Sequence, residues 1–246
     1  MKKILLFTLA LFAVAAVSCE KKNMELRGDD IIEFKDPVFL KTLLTYECAY
    51  AEDELLMNVD ANDDGNISVN EVQNITRLSF SNLPAGETIG DISEIKYFKS
   101  LKYLSCENNK LTSIDLSQNT MLKSLTCKGN QLTSINLSKN TALEYLSCEY
   151  NQLATIDLSN NAALQYMYCD NNKLTTLNLS KNAALAELNC ENNQLTSLDL
   201  GGNALLETLY CDGNQLKKII LPAKNSLPES FIKHIIKEYG DIVEYK

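Results

Sequence analysis

One interval governs what this chain can fold into. Leu101, Leu122, Leu143, Leu164, Leu185 and Leu206 recur every 21 residues, and Cys106, Cys127, Cys148, Cys169, Cys190 and Cys211 keep step with them. Asn109, Asn130, Asn151, Asn172, Asn193 and Asn214 form a third series at the same interval. Counted from the opening Leu, each unit reads L-x-x-L-x-C-x-x-N-x-L-x-x-[IL]-x-L-x-x-N-x-x, with Met167 at one fourth position and the pattern lapsing after Leu221. A unit this short cannot bury an apolar face alone, so the copies must stack, and stability becomes a sum of nearest-neighbour interfaces. Apolar positions 4 and 6 alternate with polar positions 3, 5 and 7, the period of a strand with one buried side. Positions 11, 14 and 16 return to the same interior. The remaining length leaves little room for a convex helix, so extended or 3₁₀ segments are expected there.

The pattern resembles the leucine-rich repeat family, whose defining core is L-x-x-L-x-[LC]-x-x-N-x-L. The short units and "LTSLDLS"-type second halves are similar to the bacterial, internalin-like group. The likeness is close over 101–221 and loose over 75–100. It implies a leucine-rich repeat solenoid with right-handed coils and a parallel β-sheet on the concave face. Asn at position 9 suits the tight turn after each strand, where its amide can bond backbone groups of the adjacent coil.

The column of thiols has three readings: disulfides, metal ligands or packing. Adjacent parallel strands lie about 4.8 Å apart, within the Cα range a disulfide tolerates. In-register side chains project in parallel, however, whereas a bridge needs converging Cβ atoms about 3.8 Å apart. A one-dimensional ladder also makes a poor tetrahedral zinc site. Cys packs as a small hydrophobe, and its volume suits a narrow coil. Packing is therefore the favoured reading, with Cys48 outside the ladder.

The N-terminus reads as an export signal. Lys2 and Lys3 precede an apolar run, Ile4–Val17, too short to span a bilayer as a stable helix. Ala16-Val17-Ser18-Cys19 resembles a bacterial lipobox, which implies lipidation of Cys19 and a place in the cell envelope, at the outer membrane or cell surface. Ala16 stands where that pattern usually has Leu, so a secretory signal cut nearby is the alternative. The expected layout is a signal peptide at 1–18, an anchor and linker at 19–36, a helical calcium cap at 37–74, the repeat domain at 75–221 with a degenerate first coil at 75–100, and a C-terminal cap at 222–246.

"DANDDGNISVNE", Asp60–Glu71, fits D-x-[DN]-x-[DN]-G-x5-E at every defined position. Asp60, Asn62 and Asp64 offer side-chain oxygens, Asn66 its carbonyl, Ser68 a direct or water-borne contact and Glu71 a bidentate carboxylate, with Gly65 at the turn. The segment resembles EF-hand and dockerin-type loops and implies bound calcium in a structural role. The competing reading is an acidic turn without metal. An amphipathic entering helix is expected over 39–59 and a short exiting one over 68–75. The C-terminal cap should pair a helix from Pro228, with Phe231, Ile232, Ile235 and Ile236 on one face, with a short strand in "DIVEY".

Function should lie on the outward strand positions. Tyr103, Tyr145, Tyr150, Tyr166, Tyr168 and Tyr210 fall there, beside Glu107, Glu149, Asp170, Glu191 and Asp212. Such a face could take a protein or a carbohydrate ligand. Strand propensity alone also favours Tyr, so a structural envelope protein with no dedicated ligand is the alternative. The formal net charge of -9 argues against nucleic acid and against any membrane contact beyond a lipid anchor. His234 is the only histidine and no catalytic motif occurs, so the chain reads as a monomeric, non-enzymatic binding protein.

Overall fold

The computed structural model describes residues 27–51, 56–81, 83–223 and 226–246. The signal segment and Cys19 lie outside the described residues. The repeats form a leucine-rich repeat solenoid. Each contributes one short strand at positions 3 to 5: β4 (Tyr103–Ser105), β5 (Ser124–Thr126), β6 (Tyr145–Ser147), β7 (Tyr166–Tyr168), β8 (Glu187–Asn189) and, after the separate β9 (Leu198–Asp199), β10 (Thr208–Tyr210). These pair in parallel with no register slip, so Leu104 faces Leu125, Leu125 faces Leu146, and Leu146 faces Met167. A one-residue slip would turn the buried leucines outward, so the repeat length itself sets the register.

Ahead of the repeats, strand β3 (Arg77–Ser79) pairs in parallel with β4, placing Leu78 against Leu104. Phe80 occupies the place of the ladder cysteine and is buried. It closes the thiol column at one end, and Phe39 packs on it with ring centroids 5.2 Å apart. Phe39 belongs to α1 (Pro37–Thr45), which starts where Asp36 Oδ1 accepts from the N–H groups of Val38 and Phe39. The other oxygen of Asp36 accepts from Gly90 and Asp91, tying the helix start to the first coil.

The long entering helix expected over 39–59 is not formed. Helix α1 ends at Thr45, and the chain turns into an antiparallel hairpin, β1 (Ala49–Tyr50) and β2 (Leu56–Met57), with β1 pairing onto β3. The reason is tertiary. Without that hairpin β3 would be an edge strand with a row of unpaired backbone groups. Ala49 of β1 and Cys48 just before it are both buried in the core.

At the other end, α3 (Glu229–Tyr239) buries Phe231, Ile232 and Ile235, while Ile236 is exposed, contrary to expectation. The strand anticipated in "DIVEY" is β12 (Val243–Tyr245). It pairs with β11 (Ile219–Leu221), which pairs with β9, in a second parallel sheet. The two-residue strand β9 marks the extended backbone expected on the convex side.

Candidate functional site

The alternation that buries positions 4 and 6 necessarily presents positions 3, 5 and 7 on the concave face. Tyr145 and Tyr166 are register partners on β6 and β7, and Tyr168 sits diagonally. Their rings meet: the Tyr145 centroid is 6.4 Å from that of Tyr166 and 5.6 Å from that of Tyr168. Such pairs add about 0.5–1.5 kcal/mol beyond area burial and hold the rings in place. Tyr168 takes Glu187 as hydrogen-bond partner, and burial together with that carboxylate raises its hydroxyl pKa. Burial and the nearby Glu149, Glu107 and Glu187 raise that of Tyr145. Both hydroxyls therefore remain neutral donors at physiological pH.

Tyr103 stands apart, beneath the Arg77 guanidinium at 4.7 Å from its ring centroid. Serine and threonine on β5 separate it from the tyrosine cluster. Tyr210 is exposed on β10, the last strand of the sheet.

Tyr150 occupies an unusual backbone state. It has φ 52°, in a row otherwise filled by Asn108, Gly129, Asn171, Asn192 and Gly213, all at positive φ. Asn and Gly visit this region readily, whereas a tyrosine does so at a cost of about 1–2 kcal/mol. The residue is 54% exposed, and its ring receives the Lys128 ammonium 5.5 Å from its centroid.

The acidic row divides. Glu107, Glu191 and Asp212 reach solvent, but Glu149 and Asp170, expected there, are only 8% and 9% exposed. Glu149 accepts a short hydrogen bond from the Ser147 hydroxyl and lies 3.8 Å from Lys128. Burial nonetheless raises its pKa. Asp170 accepts from the Asn171 side chain at 2.7 Å, and Asp212 from the hydroxyl of Tyr239 on α3. Glu187 and Tyr239 were not singled out by sequence reasoning. Glu187 could have been, because it occupies position 3, but Tyr239 arrives only through the docking of a helix outside the repeat.

Beneath the face, the seven described cysteines are free and buried. Burial raises the thiol pKa of Cys127 to about 12 and those of Cys48 and Cys211 to about 11, which makes them unreactive at neutral pH.

In the Asp60–Glu71 loop, Asp63 and Gly65 take positive φ and curl the chain around Asp60. The two oxygens of Asp60 accept from the N–H groups of Asp64 (3.1 Å) and Gly65 (2.8 Å). Asn62 and Asp64 bond each other, and the N–H of Asn66 donates to Asp64. Glu71 accepts from Ala61, from Asn62 and from both the N–H and hydroxyl of Ser68, forming the capping box of α2 (Val69–Val72). Burial opposes ionisation of Glu71, but these donors outweigh it and the net pKa is lowered. The donor set is all oxygen, as calcium requires, and follows the right order around the turn. Among the described residues no group of three or more His, Cys, Asp or Glu side chains is gathered to hold a metal ion. The loop's carboxylates are instead engaged with its own N–H groups. A hairpin, not a helix, enters the loop, so its surroundings differ from a helix-loop-helix unit.

A depression of about 390 Å³ lies off the strand face, lined by Asn178, Ser180, Asp199 and Lys246 among others, away from the tyrosines. His234 is exposed on α3. Among the described residues no helix is long and apolar enough to cross a membrane.

No protein-family model and no curated protein matches the chain. Solved structures similar to it include the functional domain of InlJ from Listeria monocytogenes, described as including a cysteine ladder, at 28% identity over 63% of this chain and 46% of that one, TM-score 0.42. The Leptospira interrogans leucine-rich repeat protein LIC12759 matches at 19% identity over 72% and 62%, TM-score 0.43. The leucine-rich repeat domain of APL1B matches at 18% over 56% and 55%, TM-score 0.47. This chain spans less than two thirds of each of them.

Proposed function

We propose that this chain is a non-catalytic binding module that holds a macromolecular ligand, polypeptide or glycan, on the concave face of its solenoid. The observation that carries this reading is the contact cluster of Tyr145, Tyr166 and Tyr168 set among carboxylates on a rigid sheet. Aromatic anchors held by packing lose little entropy on binding, which is what a recognition surface needs. The described face is an open sheet, and the chain's one histidine, His234, stands exposed on α3 rather than on its strands. Export through the N-terminal signal and lipidation of Cys19 would tether the module at the outer membrane or cell surface. Calcium in the Asp60–Glu71 loop would lock the N-terminal cap onto the first coil. Asp60, Asn62, Asp64 and Glu71 would hold it by side-chain oxygens, Asn66 by its carbonyl and Ser68 directly or through water.

The test is a peptide and glycan array probed with the wild-type chain and with the triple variant Tyr145→Ala, Tyr166→Ala, Tyr168→Ala. The wild type should give discrete signals that the triple variant loses while keeping its circular dichroism spectrum. A triple variant that keeps every wild-type signal would overturn the reading and favour a structural envelope role.

A further inference from the structure

The charges of the concave face are sorted by coil. At positions 3, 5 and 7, and at position 2 just before each strand, the basic residues Arg77, Lys102, Lys123 and Lys128 all precede residue 129, with Glu107 as the one acid among them. From Glu144 onward the charges at those positions are acidic only: Glu144, Glu149, Asp170, Glu187, Glu191, Glu207 and Asp212. Two ion pairs stitch the boundary, Lys123 to Glu144 at 3.1 Å and Lys128 to Glu149 at 3.8 Å. Beyond it, among the described residues, no ion pair reaches Asp170, Glu187, Glu191 or Asp212.

The tyrosines divide the same way. Tyr103 carries the Arg77 guanidinium on its ring and Tyr150 the Lys128 ammonium. Lys128 thus lies between an aromatic face and the carboxylate of Glu149, the arrangement that favours a cation most. The same ingredients recur one and two coils further along, as Tyr166 and Tyr168 beside Asp170, Glu187 and Glu191. There, among the described residues, no cation of the chain occupies them.

We infer that the acidic, tyrosine-lined half of the face, from β6 to β10, docks a basic polypeptide segment whose Lys or Arg side chains take the place that Lys128 fills at the boundary. This rests on the concave-face reading above and names its ligand. Charge complementarity favours a cation over a sugar. The Tyr145 ring is in contact with those of both Tyr166 and Tyr168, which leaves less free ring face for a sugar to stack on than an isolated tyrosine offers. Among the described residues no ion pair neutralises Glu187, Glu191 or Asp212, and a cationic segment would balance that charge whereas a neutral sugar would not. Binding should be salt-sensitive, because exposed charges are screened within about 8 Å at physiological ionic strength.

The experiment uses the full chain with fluorescein-labelled octaarginine, octaglutamate as the reversed-charge control, and chitohexaose and cellohexaose as glycan probes. Octaarginine should bind saturably, at least tenfold tighter than octaglutamate. It should weaken tenfold or more in the tyrosine triple variant and in Glu187→Gln, Glu191→Gln. The convex-side pair Asp115→Asn, Asp157→Asn, which removes the same charge, should change affinity less than twofold. The glutamine pair is on the surface and keeps the test open should the triple variant unfold. Octaarginine binding indifferent to both face variants, or equally weakened by the convex pair, would overturn the inference as diffuse attraction to an acidic protein. Tyrosine-dependent binding of a hexaose without the peptide would also overturn it, yet leave the concave-face reading standing. Were no probe or array ligand to depend on the tyrosines, both would fall.

Discussion

Each inward polar residue of the repeat has a defined task. Cys at position 6 fills the space above the next coil without a polar group that must be paired, and its S–H still reaches a carbonyl at Cys106 and Cys169, both 3.4 Å. Asn at position 9 works harder: the side chain of Asn130 accepts from Leu111 N–H and donates to the carbonyls of Cys106 and Cys127. A second column, Asn119, Asn140, Asn161, Asn182 and Asn203 at position 19, is fully buried. Asn161 donates to the carbonyls of Leu137 and Asn140, while its Oδ1 has no protein partner. Truncation would therefore remove the second donor from each of two buried carbonyls, which keep the N–H groups of Asn140 and Leu143. Asn161→Ala should destabilise by about 1–3 kcal/mol in urea unfolding, since each of the two lost bonds contributes roughly 0.5–1.5. Tyr150→Asn should act in the opposite direction, stabilising by about 1 kcal/mol by relieving the left-handed backbone of a tyrosine. A lower urea midpoint for that variant would refute the strain.

At the scale of elements, the ends of the solenoid depart furthest from the repeat. Phe80 with α1 closes one end of the thiol column, and Tyr239 of α3, which bonds both Cys211 and Asp212, closes the other. The Asp60–Glu71 loop and α2 are joined through Glu71. Its folded pKa is depressed, so its contribution to stability is present above the unfolded value of about 4.3 and is lost as pH falls through the lower folded value. Urea midpoints of wild type and Glu71→Gln should therefore differ at pH 6 and converge toward pH 3. A difference constant with pH would exclude that linkage. Calcium should raise the wild-type Tm, with about 2.7 kcal/mol of added stability at a hundred times Kd, and leave Asp60→Asn, Glu71→Gln unmoved. An EDTA-insensitive Tm in the wild type would favour the metal-free turn.

At the scale of the molecule, the solenoid is one-dimensional: each coil touches its neighbours and little else. Deleting residues 164–184 removes one period and should rejoin β6 to β8 in register. The product should fold cooperatively with a lower Tm and lose any tyrosine-dependent ligand, because Tyr166 and Tyr168 leave with the coil. Deleting 164–183 instead shifts every later leucine by one residue and should abolish the cooperative transition seen by circular dichroism. Equal behaviour of the two deletions would contradict a register set by the 21-residue period.

The repeat alone determined the solenoid, its register, the buried thiol column and the side on which the tyrosines stand. A period-2 strand repeated at constant spacing has one way to bury its leucines, so these features are local arithmetic. Other features depended on what packs against what. Residues 46–57 carry enough apolar spacing for a helix, but the open edge of β3 needed a strand, and the edge prevailed. Glu149 and Asp170 belong to an outward row, yet both are buried in the stacked structure, which no one-residue pattern records. The meeting of Tyr145 with Tyr168, the placing of Lys128 between a ring and a carboxylate, and the arrival of Tyr239 at Asp212 all join residues from different coils or from outside the repeat. Only stacking brings those groups within reach of one another, because the contacts run across the strands rather than along the chain.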